Sequence, residues 1–110
     1  MNSQPVEFLD IVEHDLRAAR IAYASWLTDG AHLFSAKYNE TLDWIEWNPE
    51  QFPRKHRHFR RAIIRRTYYG IYYVIELSVT TVVAVLDLRQ NPRLMRSVLS
   101  FRIPTPPAPP

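Results

Sequence analysis

Between Arg54 and Arg66 the chain reads RKHRHFRRAIIRR, a run holding seven of its fourteen Lys and Arg residues and two of its four histidines. Cations at this density can hold a phosphate and stabilise the charge of a pentavalent transition state, and histidine can move a proton near neutral pH. The chemistry these types permit is RNA cleavage, in which a base activates the 2′-hydroxyl and an acid protonates the leaving oxygen. Arg57, Arg60, Arg61, Arg65, Arg66 and the more distant Arg89 are the candidate cations, with His56 and His58 as acid–base candidates. Without an ordered acid–base pair, the same run is an anion-binding face or a solvated basic loop. Tyr68, Tyr69, Tyr72 and Tyr73 follow it, placed either to stack on exposed bases or to pack in a core. Strand alternation sends Tyr72 and Tyr73 to opposite faces.

Other chemistries are poorly served. Basic neighbours around His56 and His58 repel a metal cation, and His14 and His32 have no partner at a ligand spacing, so no metal is expected. Two glycines are too few for a Gly-rich phosphate loop, and no cofactor is expected. The lack of cysteine excludes disulfides, thiolate zinc sites and a Cys nucleophile. A formal net charge of +3 conceals a strong asymmetry. Residues 1–50 carry three basic and nine acidic side chains, residues 51–110 eleven and two, giving −6 and +9. The second half therefore presents a positive surface to an anionic partner.

These residues need elements to position them. Pro5 and the run Val6–Leu9 predict an opening strand. Asp10 and Glu13 match a capping box, and Val12, Leu16, Ala19, Tyr23 and Trp26 recur at helical spacing to about Thr28. Gly30 is expected to close that helix in the left-handed conformation. Phe34, Tyr38, Leu42 and Ile45, widened by Leu33, Thr41 and Trp44, predict a second helix ending at Asn48-Pro49. The short break between the two makes an antiparallel helical hairpin. Ala62–Arg66, Tyr69–Leu77 and Val79–Leu88 then predict three strands in an antiparallel meander. Apolar residues on both faces of the last strand make it central, with the helices on one side and the C-terminal segment on the other. Arg93–Phe101 is expected to form a short helix or an irregular packing segment. IPTPPAPP should form an exposed polyproline tail. The expected fold is α+β, with one domain over residues 1–102 and a disordered Pro-rich tail over 103–110. The N-terminus lacks a signal-peptide pattern, and Ile71–Leu86 is too short and too polar to span a membrane. A soluble, cytoplasmic protein is expected.

Element order and local motifs together resemble the RelE/ParE superfamily of type II toxin–antitoxin toxins, over roughly Val6 to Arg93. The resemblance is carried by NPEQFPRKHRHFRRAIIRRTYYGIYYVIE and VVAVLDLRQNPR. Pro49, Phe52, Pro53, Arg60, Arg61, Tyr69, Ile71, Tyr72, Tyr73, Ala84, Val85, Arg89, Pro92 and Arg93 match the family's order and spacing. It implies a small bacterial toxin, a helical hairpin on an antiparallel sheet, held in a hetero-oligomer by a cognate antitoxin. It also implies one of two targets: RelE-like members cleave mRNA on the ribosome, and ParE-like members poison DNA gyrase by binding it.

Asp87 departs from the pattern, standing where many relatives have a histidine at the end of the fourth strand. A carboxylate there repels a scissile phosphate and is a poor acid at neutral pH, its ordinary pKa being ~4. The sequence therefore points first to a ParE-like, non-enzymatic toxin whose target- and antitoxin-binding face comprises Arg57, Arg60, Arg61, Arg65, Arg66, Arg89 and Arg93. The second reading is a ribosome-dependent mRNA endonuclease, with Arg65 and Arg89 on phosphate and His58 or Tyr69 moving protons. A non-toxic remnant and a general nucleic-acid-binding module are further alternatives. Charge reversal at Arg60 and Arg61 is expected to weaken the antitoxin complex.

Overall fold

Helix α1 (Val12–Trp26) and helix α2 (Gly30–Trp47) form the expected hairpin, in a computed structural model that describes residues 3–102. Val12, Leu16, Ala19 and Tyr23 are buried along α1, and Phe34, Tyr38, Thr41 and Ile45 along α2, as the four-and-three spacing requires. Trp26, expected on the same stripe, is half exposed and meets the Tyr23 ring edge-on at 5.1 Å. The capping box does not form. Backbone carbonyls of Leu9, Asp10 and Ile11 accept the first N–H groups of α1, and the Glu13 carboxylate instead pairs with Arg20 at 3.3 Å. Gly30 is not the left-handed residue either, since Asp29 takes that conformation with φ 57°. Gly30 opens α2, where a Cβ would stand 1.8 Å from the Tyr23 carbonyl oxygen. Glycine is required there by close approach of the two helices.

The predicted meander is the middle of a larger sheet. Strands β1 (Val6–Phe8), β2 (Arg54–His56), β3 (Phe59–Ile63), β4 (Tyr69–Ile75) and β5 (Thr80–Asp87) lie in the order β1-β5-β4-β3-β2. β1 runs parallel to β5, with Val6 opposite Thr80, so the five-stranded sheet is mixed. β2 adds antiparallel to β3 and carries no strand signature of its own; its residues, Arg-Lys-His, pair only because the chain turns back at Arg57, φ 51°. β3 begins at Phe59 rather than Ala62 and ends before Arg65 and Arg66, because the turn closes on Ile64 and places Arg66 at φ 61°. The hydroxyl of Thr67 donates to the Ile64 carbonyl at 2.8 Å and accepts the Tyr69 N–H at 3.0 Å, fixing that turn. The C-terminal segment is helical, α3 (Pro92–Phe101), capped by Asn91, whose side chain accepts the Arg93 N–H at 2.8 Å.

The sheet separates two apolar clusters. On the hairpin side Tyr69, Ile71, Tyr73, Val82 and Val85 pack under α1 and α2; on the other side Phe59, Tyr72, Val74, Val83, Ala84 and Leu86 pack under Met95 and Leu99 of α3. Tyr72 and Tyr73 are both buried, one on each face, as alternation predicts. Strict alternation along β5 fails at a register shift facing Tyr72 and Tyr73, so Val82 shares a face with Val85 and Val83 with Ala84. An extra residue in one strand has this effect. Both faces of β5 remain apolar, and the strand lies under the hairpin on one side and α3 on the other. Beyond Val82, β1 no longer covers its edge. There the Asp15 carboxylate accepts the Val85 N–H at 2.9 Å, and Arg102 pairs with Asp15 and reaches the Val83 carbonyl. The proline-rich tail lies outside the described residues. Among the described residues no helix is long and apolar enough to cross a membrane.

Candidate functional site

Asp87 ends β5 opposite Tyr69, the first residue of β4, so the position that breaks the sequence pattern sits at the end of the sheet's two central strands. Two residues on, Arg89 folds back onto it. Its Nε and Nη2 donate to the two carboxylate oxygens at 3.0 and 2.7 Å, and its backbone N–H adds a third bond at 2.9 Å. The guanidinium lies 4.3 Å from the Tyr68 ring centroid and 5.0 Å from that of Trp26. Hydrogen bonding by Arg89 holds the Asp87 carboxyl below its ordinary 3.8, outweighing partial burial. Burial, then the Asp87 charge, pushes the Tyr69 phenol above 10.0, which keeps it protonated and makes it a poor base. Arg89 thus meets any phosphate at this end with its fork already occupied by a carboxylate.

A concentration of cations without a carboxylate beside it lies elsewhere among the described residues, on the face covered by α3. A pocket of about 210 Å³ is lined by Lys55 and His56 of β2, Arg61 of β3, Tyr72 of β4, and Met95 and Arg96 of α3. Among the described residues no carboxylate lines it. Arg61 reaches it by laying its stem over Gly70, where a Cβ would come within 3.1 Å of Arg61 Cγ. Its Nε is buried with no partner among the described residues. Among the described residues the Tyr72 hydroxyl donates only to the Met95 sulfur, 3.5 Å away, a weak acceptor. An anion of phosphate size placed here would meet three cationic side chains, an imidazole and an underused phenol. Sequence reasoning missed Lys55, Tyr72 and Arg96 as a group because they come from three elements. The strand that carries Lys55 and His56 was hidden inside the basic run.

Comparison with known proteins places this geometry on a known scaffold. No family model and no curated protein matches the sequence. Among solved structures, a chain of the "Chromosomal ParDE TA system from P. aeruginosa" superposes with a TM-score of 0.68 at 11% identity, over 76% of this chain and 95% of that one. This chain shares the fold of that chain. The expected RelE/ParE resemblance is therefore supported at the level of architecture.

On that scaffold the arginines proposed from sequence do not form one face. Arg60 points to the hairpin side, opposite Tyr73, and donates to the carbonyls of Glu50 and Phe52 at 3.0 and 2.6 Å, fixing the turn Pro49–Gln51 that follows α2. Arg61 points to the α3 side and into the basic pocket. Arg57 is exposed at the β2–β3 turn, Arg65 and Arg66 at the β3–β4 turn, and Arg93 at the start of α3. Arg65 and Arg66 share a shallow cleft with Lys37 and Glu40 of α2. The proposed ribonuclease set is split as well. Tyr69, Arg65 and Arg89 sit toward one end of the sheet, whereas His58 precedes β3 at the other, roughly 20 Å away at 3.3 Å per residue. His58 is exposed and stacks on Phe59, with ring centroids 5.5 Å apart. Among the described residues there is no cluster of three or more His, Asp or Glu able to hold a metal ion.

Proposed function

We propose that this chain is the ParE-like toxin of a bacterial type II toxin–antitoxin system, acting in the cytoplasm by binding DNA gyrase and neutralised by a cognate antitoxin. The observation that carries the reading is a fold shared over 95% of a ParDE-system chain. The Asp87–Arg89 pair supports a binding rather than a cleaving toxin, because it neutralises the sheet end where the RelE-like pattern calls for a histidine. Exposed Arg57, Arg65, Arg66 and Arg93 provide positive surface for carboxylates of an antitoxin. Purified gyrase loses supercoiling activity at saturating toxin if the reading is right. Normal supercoiling while growth still stops removes gyrase as the target.

The basic pocket favours a second reading, a ribosome-dependent mRNA endonuclease that works there. His56 is the proton carrier in that case, with Lys55, Arg61 and Arg96 on the phosphate. Mapping of mRNA 5′ ends after expression separates the two: new ends within translated codons, lost in Arg61→Gln, establish cleavage. Their absence leaves the binding toxin.

A further inference from the structure

Helix α3 roofs the basic pocket: Pro92, Met95, Arg96 and Leu99, half of the lining residues, belong to it. At ten residues it is shorter than the roughly 12–15 at which a helix holds its own shape in water. It is therefore kept in place by what it packs on, and that is little. Met95 and Leu99 are its buried side chains, while Leu94 is 51% and Phe101 89% exposed. An element with so little burial opens locally at a lower cost than the strands beneath it.

The two ends of α3 are held differently. At its start the Asn91 cap follows closely on β5, so the chain itself tethers the helix to the sheet. At its far end no further element follows among the described residues, and the hold is the Asp15–Arg102 pair. Arg102 Nη1 donates to one carboxylate oxygen of Asp15 at 2.5 Å and Nη2 to the other at 3.1 Å. Such a forked pair is strong and directional. Asp15 is itself fixed, accepting the Val85 N–H at 2.9 Å, so the clasp is anchored on α1 and β5 together. A hinge at one end and a clasp at the other make a strap. Beneath it Lys55 and Arg61 form no ion pair among the described residues, and the Tyr72 hydroxyl is engaged by Met95 of the strap itself. The cavity of about 210 Å³ admits a single phosphate group, whereas a chain of phosphates would have to thread under α3. We propose that α3 is an autoinhibitory strap. Clasped by Asp15 and Arg102, it keeps phosphate chains out of the basic pocket; unclasped, it admits the backbone of a single-stranded nucleic acid. The proposal rests on the phosphate site of the second reading, without its cleavage step, and does not depend on gyrase.

The full chain has no cysteine, so the double variant Asp15→Cys/Arg102→Cys carries two thiols that a short bismaleimide can bridge. The unbridged form is unclasped, and the bridge recloses the strap in the same molecule. Inorganic phosphate, small enough to enter either form, is expected to bind both equally. A fluorescein-labelled uridine pentamer is expected to bind the unbridged form roughly tenfold more tightly than the bridged one. Adding Arg61→Gln to the unbridged form should weaken both ligands. In the wild-type chain the amides of Met95 and Leu99 should exchange with solvent roughly tenfold faster than those of Ile71 and Tyr72 in β4. Equal pentamer binding by both forms, or by neither while phosphate binds, would overturn the strap and leave the phosphate site standing. Failure of phosphate to bind would remove the site that the strap covers, and the proposal with it. Exchange at Met95 and Leu99 as slow as in β4 would make α3 a fixed part of the fold and overturn the proposal. So would loss of protection in β4 together with α3 in the unbridged form, which would make the pair structural.

Discussion

Arg89 and Asp87 lie two residues apart, a spacing that lets the chain fold the guanidinium back onto the carboxylate as β5 ends. From the sequence Asp87 reads as a departure from the RelE/ParE pattern; in place it is an acceptor that fixes Arg89 against Trp26 and Tyr68. Its folded pKa is depressed, so its contribution to stability is present above the unfolded value and is lost as pH falls through the folded one. Carboxyl-carbon NMR should place the Asp87 midpoint below 3.8, with Arg89→Ala returning it toward that value. A wild-type midpoint at or above 3.8 would contradict the pairing. Arg60 carries a different lesson. Its bonds to the Glu50 and Phe52 carbonyls make it part of the fold, and Arg60→Gln should cost about 1–3 kcal/mol in denaturant unfolding. Charge reversal there tests folding before it tests antitoxin binding, and Arg65 or Arg66, both exposed, are the cleaner probes. An unchanged unfolding midpoint in Arg60→Gln would show that the two carbonyl bonds contribute nothing.

At the scale of elements, the uncovered edge of β5 is the place where packing depends on a single pair. β1 has three residues and covers Thr80–Val82 only. Unpaired strand edges invite pairing with other chains. Here Asp15 and Arg102, whose side chains are 10% and 18% exposed, close the edge and tie α1 to the end of α3. Asp15→Ala would leave the Arg102 charge and the Val85 N–H without their partner, a loss of about 3–5 kcal/mol. Asp15→Asn, which keeps an acceptor for Val85, should lose less, and equal melting temperatures for the two variants would show that the edge bond does not matter. Elements with strong local periodicity were legible in the sequence: both helices, β4 and β5 lie close to their predicted bounds. β2 was not, because three exposed basic residues become a strand only through pairing with β3. The left-handed turn was assigned to Gly30 for its missing Cβ. The structure uses that missing Cβ for helix contact and lets Asp29 make the turn.

Across the whole molecule, two buried phenols link stability to alkaline pH. Burial raises Tyr38 and Tyr73 well above 10.0, and Tyr73 donates its proton to the Pro49 carbonyl. Native phenols with raised pKa values leave stability whole below about pH 10 and erode it as the pH climbs toward the folded values. Phenolate absorbance and circular dichroism followed together should show that Tyr38 and Tyr73 ionise only as the fold is lost. Ionisation of both near pH 10 with the dichroism unchanged would contradict their burial.

The sequence alone determined the two helices of the hairpin, β4 and β5, most of their apolar faces and the division of charge between halves. Those follow from helical and strand periodicities and from counting, which involve near neighbours in the chain. Tertiary structure decided which strand β1 joins, what closes the β5 edge and which cations converge. Asp15 meets Val85 across 70 residues of chain and Arg102 across 87. Lys55, Arg61 and Arg96 share a pocket only because α3 returns over the sheet. No local pattern encodes such contacts, since their stabilisation depends on packing that exists only once the whole sheet has formed.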